Sequence, residues 1–132
     1  MKTSYTLYTA NTPNGQKITI ALQELALAHE VLFLNLDAGE QHRPLFSDMS
    51  PNHKIPLLVA ADGAPIFESG AILVHLFAEA RSEVLQWLFL QVASVGPMLG
   101  QLWYFRHAAA ERNAGALTRY EREARRLYSV YE

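Results

Sequence analysis

The stretch TPNGQK, residues 12–17, follows a short apolar strand and leads into an apolar helix. It places the Thr12 hydroxyl and the Asn14 amide in a turn at a helix N-terminus, where unpaired N–H groups favour anions. The 132-residue chain contains no cysteine, so a sulfur handled at this turn must arrive with a ligand. Two interpretations stay open, because Thr and Asn at such positions also serve as ordinary helix caps.

Stabilising a ligand thiolate is the chemistry that these side chains suit. A thiol similar to that of free cysteine has a pKa of about 8.5, which leaves only a small fraction ionised at neutral pH. Lowering that pKa by about two units requires roughly 2.7 kcal/mol of preferential thiolate stabilisation. We expect hydrogen bonds from Thr12, Asn14 and exposed backbone N–H groups to supply it.

Two later motifs suit the rest of a peptide-like ligand. In KIP, a cis bond before Pro56 would let the backbone of Ile55 pair with a ligand as an added strand does. In FESG, Ser69 is predicted to cap a helix whose free N–H groups suit a carboxylate, while Glu68 suits an ammonium group. The alternatives are a trans bond and a simple Ser cap, and either motif taken alone favours its alternative.

The elements that position these motifs form the pattern of a thioredoxin-like domain over residues 1–80. A helix between two apolar strands indicates a parallel crossover, and an Asp-Gly turn indicates an antiparallel hairpin at the far edge of a mixed sheet. The second strand is a continuous apolar run, which predicts burial on both faces. The order is βαβαββα, with predicted strands at 5–9, 31–36, 57–60 and 66–67 and predicted helices at 16–28, 44–49 and 70–80.

Residues 81–132 are predicted to form an all-helical domain. Its segment 84–105 carries no charge and is long enough to span a bilayer, but three Gln residues and Gly96-Pro97 interrupt it. We therefore predict one long kinked helix, buried in a domain core or a dimer, with a membrane helix as the alternative. A break at 113–115 precedes a helix at 117–131 with a solvated basic-acidic face, from which Arg126 could reach a ligand carboxylate.

The composition excludes several classes of function. A formal net charge of −2 gives no basic face for nucleic acid. None of the five histidines forms a pair at metal-ligand spacing, and His75 inside an apolar helix is predicted to be a core or interface residue. No catalytic triad, phosphate loop or dinucleotide-binding glycine pattern is present. Without a hydrophobic targeting segment, we expect a cytoplasmic protein with no metal, nucleic-acid or membrane partner.

Several motifs in order resemble one superfamily across nearly the whole chain. TPNGQKITIALQEL, GEQHRP, PNHKIPLLV and IFESGAILVHL are similar to the glutathione-binding domain of glutathione transferases. LQWLFLQVASVGPMLGQLWYF and RYEREARRLY are similar to the bacterial and fungal nu class, related to a yeast nitrogen-regulator prion protein.

The resemblance implies glutathione as a cosubstrate and no metal. It places the thiol or disulfide sulfur near Thr12 and Asn14, which would be the catalytic residues, and the γ-glutamyl head at Glu68 and Ser69. It also implies a cis bond at Pro56. The glutathione-binding residues that it implies are Asn14, Gln41, Ile55, Pro56, Glu68, Ser69 and Arg126.

The activity that the resemblance implies is disulfide-bond reduction or conjugation to an electrophile, with a small electrophile or disulfide as second substrate and a homodimer as the assembly. A non-catalytic binding or regulatory module of the same family is the alternative.

The sequence departs from the family pattern in two ways that bear on this choice. The usual interdomain linker is absent between Ala80 and Arg81, and the relatives' later helices do not follow Glu132, so the helical domain looks incomplete. In a natural chain of this length we expect glutathione binding rather than turnover.

Overall fold

A computed structural model describes residues 4–131, and at residues 80 and 81 the backbone alone. The chain divides into two compact units, the first ending at Arg81 and the second beginning at Ser82. The strands are β1 (Tyr5–Thr9), β2 (His29–Phe33), β3 (Leu57–Val59) and β4 (Pro65–Phe67). The helices are α1 (Pro13–Glu24), α2 (Pro44–Met49), α3 (Ser69–Leu76), α4 (Arg81–Leu90), α5 (Gly96–His107) and α6 (Ala114–Tyr128), with short 3₁₀ turns at Glu40–His42 and Ala78–Ala80.

The first unit is a four-stranded mixed sheet in the order β2-β1-β3-β4. β1 and β2 run parallel on either side of the α1 crossover, whereas β3 is antiparallel to both β1 and β4. The β3–β4 hairpin turns at Gly63, whose φ of 87° is a left-handed conformation that glycine adopts without steric cost. The predicted thioredoxin-like order βαβαββα is therefore confirmed.

The core of the first unit joins the sheet to α1 and α3. Leu7 of β1 and Leu58 of β3 are paired in the ladder, and both are fully buried. Ile18 and Leu22 of α1 and Ile72 of α3 pack against them. On the other face of β1, the Tyr8 ring meets the Phe46 ring of α2 edge-on, with centroids 6.1 Å apart. Helices thus cover both faces of the sheet, and this fixes the turn at the start of α1.

The prediction that the second strand is buried on both faces is wrong. Within the described residues, β2 is an edge strand that pairs with β1 and has no strand on its other side, and Phe33 is 72% exposed. Its apolar sequence resembles that of a central strand, but its position at the sheet edge leaves one side without a neighbour.

The second unit consists of helices. α5 and α6 are joined by a stacked pair of rings, Phe105 and Tyr120, with centroids 5.7 Å apart. Beside it, the Arg106 guanidinium lies 2.7 Å from a carboxylate oxygen of Glu121. α6 begins directly after the Asn113 cap, so Ala114 and Gly115 of the predicted break already belong to the helix.

The uncharged segment 84–105 stays helical throughout. A π-helical turn at Gln91–Val95 joins α4 to α5, and Gly96 keeps right-handed helical angles just before Pro97. The predicted burial is not observed within the chain, because no residue of the segment is fully buried and Trp103 is 61% exposed. Within residues 4–131, no helix has the length and apolarity needed to cross a membrane.

Candidate glutathione site

An open cavity of about 460 Å³ lies in the first unit, next to the N-terminus of α1. Its volume falls within the range of small-molecule sites, about 300–1,000 Å³. The walls come from three places: the start of α1, the segment after β2 with its 3₁₀ turn, and the loop before β3. The lining residues are Thr12, Asn14, Leu36, Gln41, His42, Asn52, His53, Lys54 and Ile55.

Thr12 is the N-cap of α1, and its Oγ1 accepts a hydrogen bond of 3.2 Å from the Gly15 N–H. The capping interpretation is therefore correct for Thr12. Capping uses one lone pair of the hydroxyl and leaves its O–H free to donate elsewhere. The cap and a contact to a ligand sulfur are thus compatible, and the two interpretations of this residue do not exclude one another.

Asn14 does not cap the helix. Its side chain is exposed at the cavity wall, and its Oδ1 accepts a hydrogen bond of 2.9 Å from the Lys17 Nζ, one turn further along α1. Burial lowers the pKa of the Lys17 ammonium below its ordinary value. The Asn14 amide N–H groups have no partner among the described side-chain hydrogen bonds of this turn, so they remain available as donors.

Gly15 lets the start of α1 lie against the end of β1. A Cβ at this position would clash with the buried Thr9 Oγ1 and with the Ala10 carbonyl oxygen. The carbonyl belongs to the backbone and cannot rotate away, so any side chain here would push the helix off the strand. Glycine therefore sets where Thr12 and Asn14 stand relative to the sheet.

Gln41 carries the one buried side-chain polar atom of the described residues that lacks a partner, its Oε1. Its Nε2 lies 3.3 Å from the His42 Nε2. Buried polar atoms are nearly always paired in folded proteins. An unpaired oxygen in a cavity wall is therefore suited to a ligand donor, which agrees with the role that the resemblance implies for Gln41.

The Ile55–Pro56 peptide bond is cis. Ile55 lines the cavity, whereas Pro56 is buried behind it. In the part of the chain that the structure describes, no loop or turn hydrogen bond uses the N–H or the carbonyl of Ile55. The preceding loop is held by the buried Ser50, whose hydroxyl donates to the Lys54 carbonyl at 3.1 Å. The backbone of Ile55 is thus presented to the cavity by a fixed loop.

Glu68 and Ser69 stand beside the cavity rather than in its lining. Asn52, which does line it, donates to the Glu68 Oε1 at 3.1 Å. The prediction that Ser69 caps α3 is wrong: Ser69 is the first helical residue, and Glu68 is the N-cap, with a left-handed φ of 70°. Such a conformation costs energy in a residue with a Cβ and tends to occur at functional sites.

Sequence reasoning missed three cationic or titratable residues of the wall. The rings of His42 and His53 have centroids 5.4 Å apart, and Lys54 follows directly. They sit inside the quoted motifs GEQHRP and PNHKIP, so their nearness to Gln41 and Ile55 was the available signal. Among residues 4–131, no group of three or more His, Cys, Asp or Glu side chains is arranged to hold a metal ion.

His75 and Arg126, two residues for which the sequence predicted roles, do not line this cavity. His75 is exposed on α3, and its ring meets that of Tyr5 edge-on at 6.1 Å, so it is not a core residue of this chain. Arg126 lies on α6 in the second unit, where its Nη2 is 2.6 Å from a carboxylate oxygen of Glu123. That hydrogen bond lowers the pKa of the Glu123 carboxyl, with smaller contributions from nearby arginine charges.

Comparison with known proteins identifies the family. A model of the glutathione S-transferase N-terminal domain matches residues 3–78. The chain therefore belongs to the glutathione S-transferase family, as the resemblance predicted.

Two curated relatives are similar over almost the whole chain. The disulfide-bond oxidoreductase YfcG of Escherichia coli is 45% identical over 94% of this chain and 65% of its own length. The transcriptional regulator URE2 of Saccharomyces cerevisiae is 36% identical over 97% of this chain and 42% of its own length. The chain thus spans about two thirds of the first relative and less than half of the second.

Solved structures of similar proteins hold glutathione. Ure2p in complex with glutathione matches with a TM-score of 0.85 at 35% identity, over 96% of this chain and 66% of that one. The glutathione transferase URE2P6 from Phanerochaete chrysosporium, in complex with oxidized glutathione, matches with a TM-score of 0.84 at 33% identity, over 96% of this chain and 66% of that one. A family member from Pseudomonas fluorescens with two glutathione molecules bound matches with a TM-score of 0.80 at 36% identity, over 96% of this chain and 63% of that one.

Proposed function

We propose that this protein binds glutathione in the cavity at the start of α1 and stabilises its thiolate for disulfide-bond reduction. The observation that carries the proposal is the meeting, in one cavity wall, of a free Thr12 O–H, the Asn14 amide, the unpaired Gln41 Oε1 and the Ile55 backbone. These groups come from three separate parts of the sequence. Together they match the polar atoms of a peptide-like ligand that carries a thiol.

Each part of glutathione has a counterpart in this arrangement. The sulfur lies near Thr12 and Asn14, where donors favour the anion. The cysteinyl amide and carbonyl pair with the backbone of Ile55. The γ-glutamyl ammonium and carboxylate are held by Glu68 and by the first N–H groups of α3 at Ser69. Gln41 accepts from a ligand N–H, and Arg126 contributes only if α6 reaches the ligand in the assembled protein.

The reaction is thiol–disulfide exchange through glutathione itself, because the chain has no cysteine. The bound thiolate attacks one sulfur of a disulfide, an S–S bond forms to glutathione, and the other sulfur leaves as a thiolate that takes a proton. A second glutathione thiolate then attacks the mixed disulfide, which yields oxidised glutathione and the second reduced thiol. The name of YfcG supports this reaction, and so do the similar proteins solved with two glutathione molecules bound.

Calorimetric titration with reduced and oxidised glutathione is the first test. We expect saturable binding, weakened about tenfold or more by Asn14→Ala and by Glu68→Gln, since a hydrogen bond to a charged group contributes about 1.5–3 kcal/mol. A coupled assay of small-disulfide reduction follows, with the double variant Thr12→Ala/Asn14→Ala as the inactive reference. Absence of binding by the folded protein would refute the proposal.

The regulatory alternative has one supporting observation, the name of the URE2 relative as a transcriptional regulator. A non-catalytic module would retain the calorimetric affinity but reduce disulfides no faster than free glutathione does. The same assay therefore separates the two functions. Conjugation is tested in parallel with an aromatic halide as the electrophile.

The homodimer and the cytoplasmic location also stay proposals. The exposed apolar side chains of α4 and α5, among them Trp87, Phe89 and Trp103, support an assembly that covers them. Sedimentation velocity over a range of protein concentrations tests the dimer, which must persist at low micromolar concentration if it forms part of the working protein.

A further inference from the structure

Lys17 contacts Asn14, a lining residue of the candidate site, and does not line the cavity itself. It lies on α1 one turn after Asn14, and its Nζ is 2.9 Å from the Asn14 Oδ1. The Lys17 side chain is half-buried, and this burial lowers its pKa because the ammonium has lost part of its water. No carboxylate among the described residues pairs with it, since the ion pairs of the described chain involve arginine. Its recorded side-chain hydrogen bond within the described part is therefore the one to Asn14.

An ammonium group can only donate hydrogen bonds, so it must face an oxygen. The contact therefore fixes the orientation of the Asn14 amide, with the Oδ1 toward Lys17 and the two N–H groups turned away from it. The opposite orientation would present an acceptor oxygen in place of those donors. A thiolate would be stabilised by the first orientation and repelled by the second.

We propose that Lys17 is a positioning residue, which orients the Asn14 amide so that its N–H groups donate to the glutathione sulfur. The proposal rests on the proposed function, because it concerns the same thiolate. Lys17 also polarises the amide, since a cation on the Oδ1 strengthens the N–H groups as donors. It acts through Asn14 and does not itself line the cavity.

The same turn supplies a matched control. The Gln16 Nε2 donates to the Asn11 Oδ1 at 2.9 Å, so a neighbouring pair has the same donor–acceptor distance and the same kind of amide acceptor. Both Gln16 and Asn11 are exposed, and neither lines the cavity. Substitution of Gln16 removes a hydrogen bond from the turn and leaves the contact between Lys17 and Asn14 in place.

The decisive measurement is the pKa of the bound glutathione thiol, followed by the ultraviolet absorbance of the thiolate against pH. We expect Lys17→Met, which keeps the apolar stem, to raise that pKa by about one unit, from about 6.5 to about 7.5, which lowers the thiolate fraction at pH 7 about threefold. Lys17→Arg retains a cationic donor and should restore most of the difference. Gln16→Met should leave the thiol pKa unchanged. His42, His53 and Lys54 lie in the same wall and are present in every variant, so differences between variants do not arise from them.

Binding of S-methylglutathione, which has no ionisable thiol, separates positioning from general damage. Lys17→Met should bind it within about twofold of the parent protein, because the other contacts remain. If the parent binds neither glutathione nor its S-methyl derivative, both the proposed function and this inference fail. If the parent binds glutathione with a lowered thiol pKa and Lys17→Met leaves that pKa unchanged, the proposed function stands and the role of Lys17 is refuted. Equal loss of S-methylglutathione binding would also refute it.

Discussion

The two units of the chain bury their apolar side chains to different degrees. In the first unit, five residues from the sheet and from α1 and α3 form a fully buried cluster. In the second unit, Ala124 and Leu127 of α6 are buried, whereas Trp87, Phe89 and Trp103 of α4 and α5 are about half exposed or more. The proposed site is built on the first unit, whose elements are fixed by that cluster.

This difference in burial suits the two units to different roles. A site that orients a sulfur needs elements whose positions are set by packing behind them, and β1, β3 and α1 supply such support. The apolar helices of the second unit gain little from burial within the chain. Their exposed rings are instead the kind of surface that proteins use for association.

Truncating one apolar side chain in each unit, buried in the first and exposed in the second, tests the comparison directly and has the largest expected effect. Leu58, fully buried between Leu7 and Ile66 in the sheet, should lose about 2–5 kcal/mol of unfolding free energy on substitution by Ala. Phe89 is 67% exposed, so Phe89→Ala should cost less than about 0.5 kcal/mol. Urea unfolding followed by circular dichroism measures both. A comparable loss in the two variants would mean that the face of α4 is covered in solution.

The sequence pattern was a good guide to the first unit because local signals and packing agree there. Apolar and polar residues alternate in the sequence of β1, and the Asp62-Gly63 turn closes the β3–β4 hairpin as predicted. The cis bond at Pro56 lies in the predicted motif. Burial of β2 was mispredicted since an apolar run reports hydrophobicity and does not report which strand lies at the edge. Burial of the segment 84–105 within its own chain is not observed, because an uncharged helix can be apolar without being covered by that chain, and its burial in a dimer stays a prediction.

Adding a methyl group to a glycine in each unit has the next largest effect. Gly15→Ala would drive a Cβ into the Ala10 carbonyl, which costs roughly 1–3 kcal/mol of stability and displaces Asn14. Gly100 in α5 has nothing within 4 Å of such a Cβ, so Gly100→Ala should be neutral or stabilising by up to about 1 kcal/mol. Thermal unfolding compares the two. Unchanged stability and glutathione affinity in Gly15→Ala would contradict the close approach of α1 to β1.

The site could be predicted where its residues lie in recognisable sequence motifs, and could not be predicted where it depends on the folded geometry. Thr12, Asn14, Gln41 and Ile55 carry motif signals, and the structure gathers them in one cavity wall. The contact of Lys17 with Asn14 depends on the pitch of α1 and on the burial of a lysine stem. Glu68, and not the predicted Ser69, is the N-cap of α3, because Glu68 has a backbone angle φ of 70° that cannot be read from the residue types.

The N-cap side chains of α1 and α6 each accept from the backbone N–H three residues on, and they allow a matched test at about 1 kcal/mol. Thr12 accepts from the Gly15 N–H at 3.2 Å, and Asn113 accepts from the Ala116 N–H at 2.9 Å. Thr12→Ala and Asn113→Ala should each lower the unfolding free energy by about 0.5–2 kcal/mol. Only Thr12→Ala should also raise the pKa of the bound glutathione thiol, and Thr12→Ser should restore it. A thiol pKa that responds equally to both Ala variants would show that Thr12 acts through helix stability alone.

The smallest expected effect concerns the charged face of α6. The Arg126 guanidinium donates to both carboxylate oxygens of Glu123, at 3.0 and 2.6 Å, and this hydrogen bond is the main cause of the lowered pKa of that carboxyl. A carboxyl whose pKa is lower in the folded state stabilises the protein above its unfolded pKa, and this contribution is lost as the pH falls through the folded pKa. Arg126→Gln should therefore raise the pKa of Glu123 and reduce stability slightly at neutral pH, with the difference from the parent vanishing in acid. Carbon NMR of the carboxyl measures the pKa. Arg119→Gln, which removes only a more distant charge, should shift it less, and equal shifts in the two variants would contradict the direct hydrogen bond as the main cause.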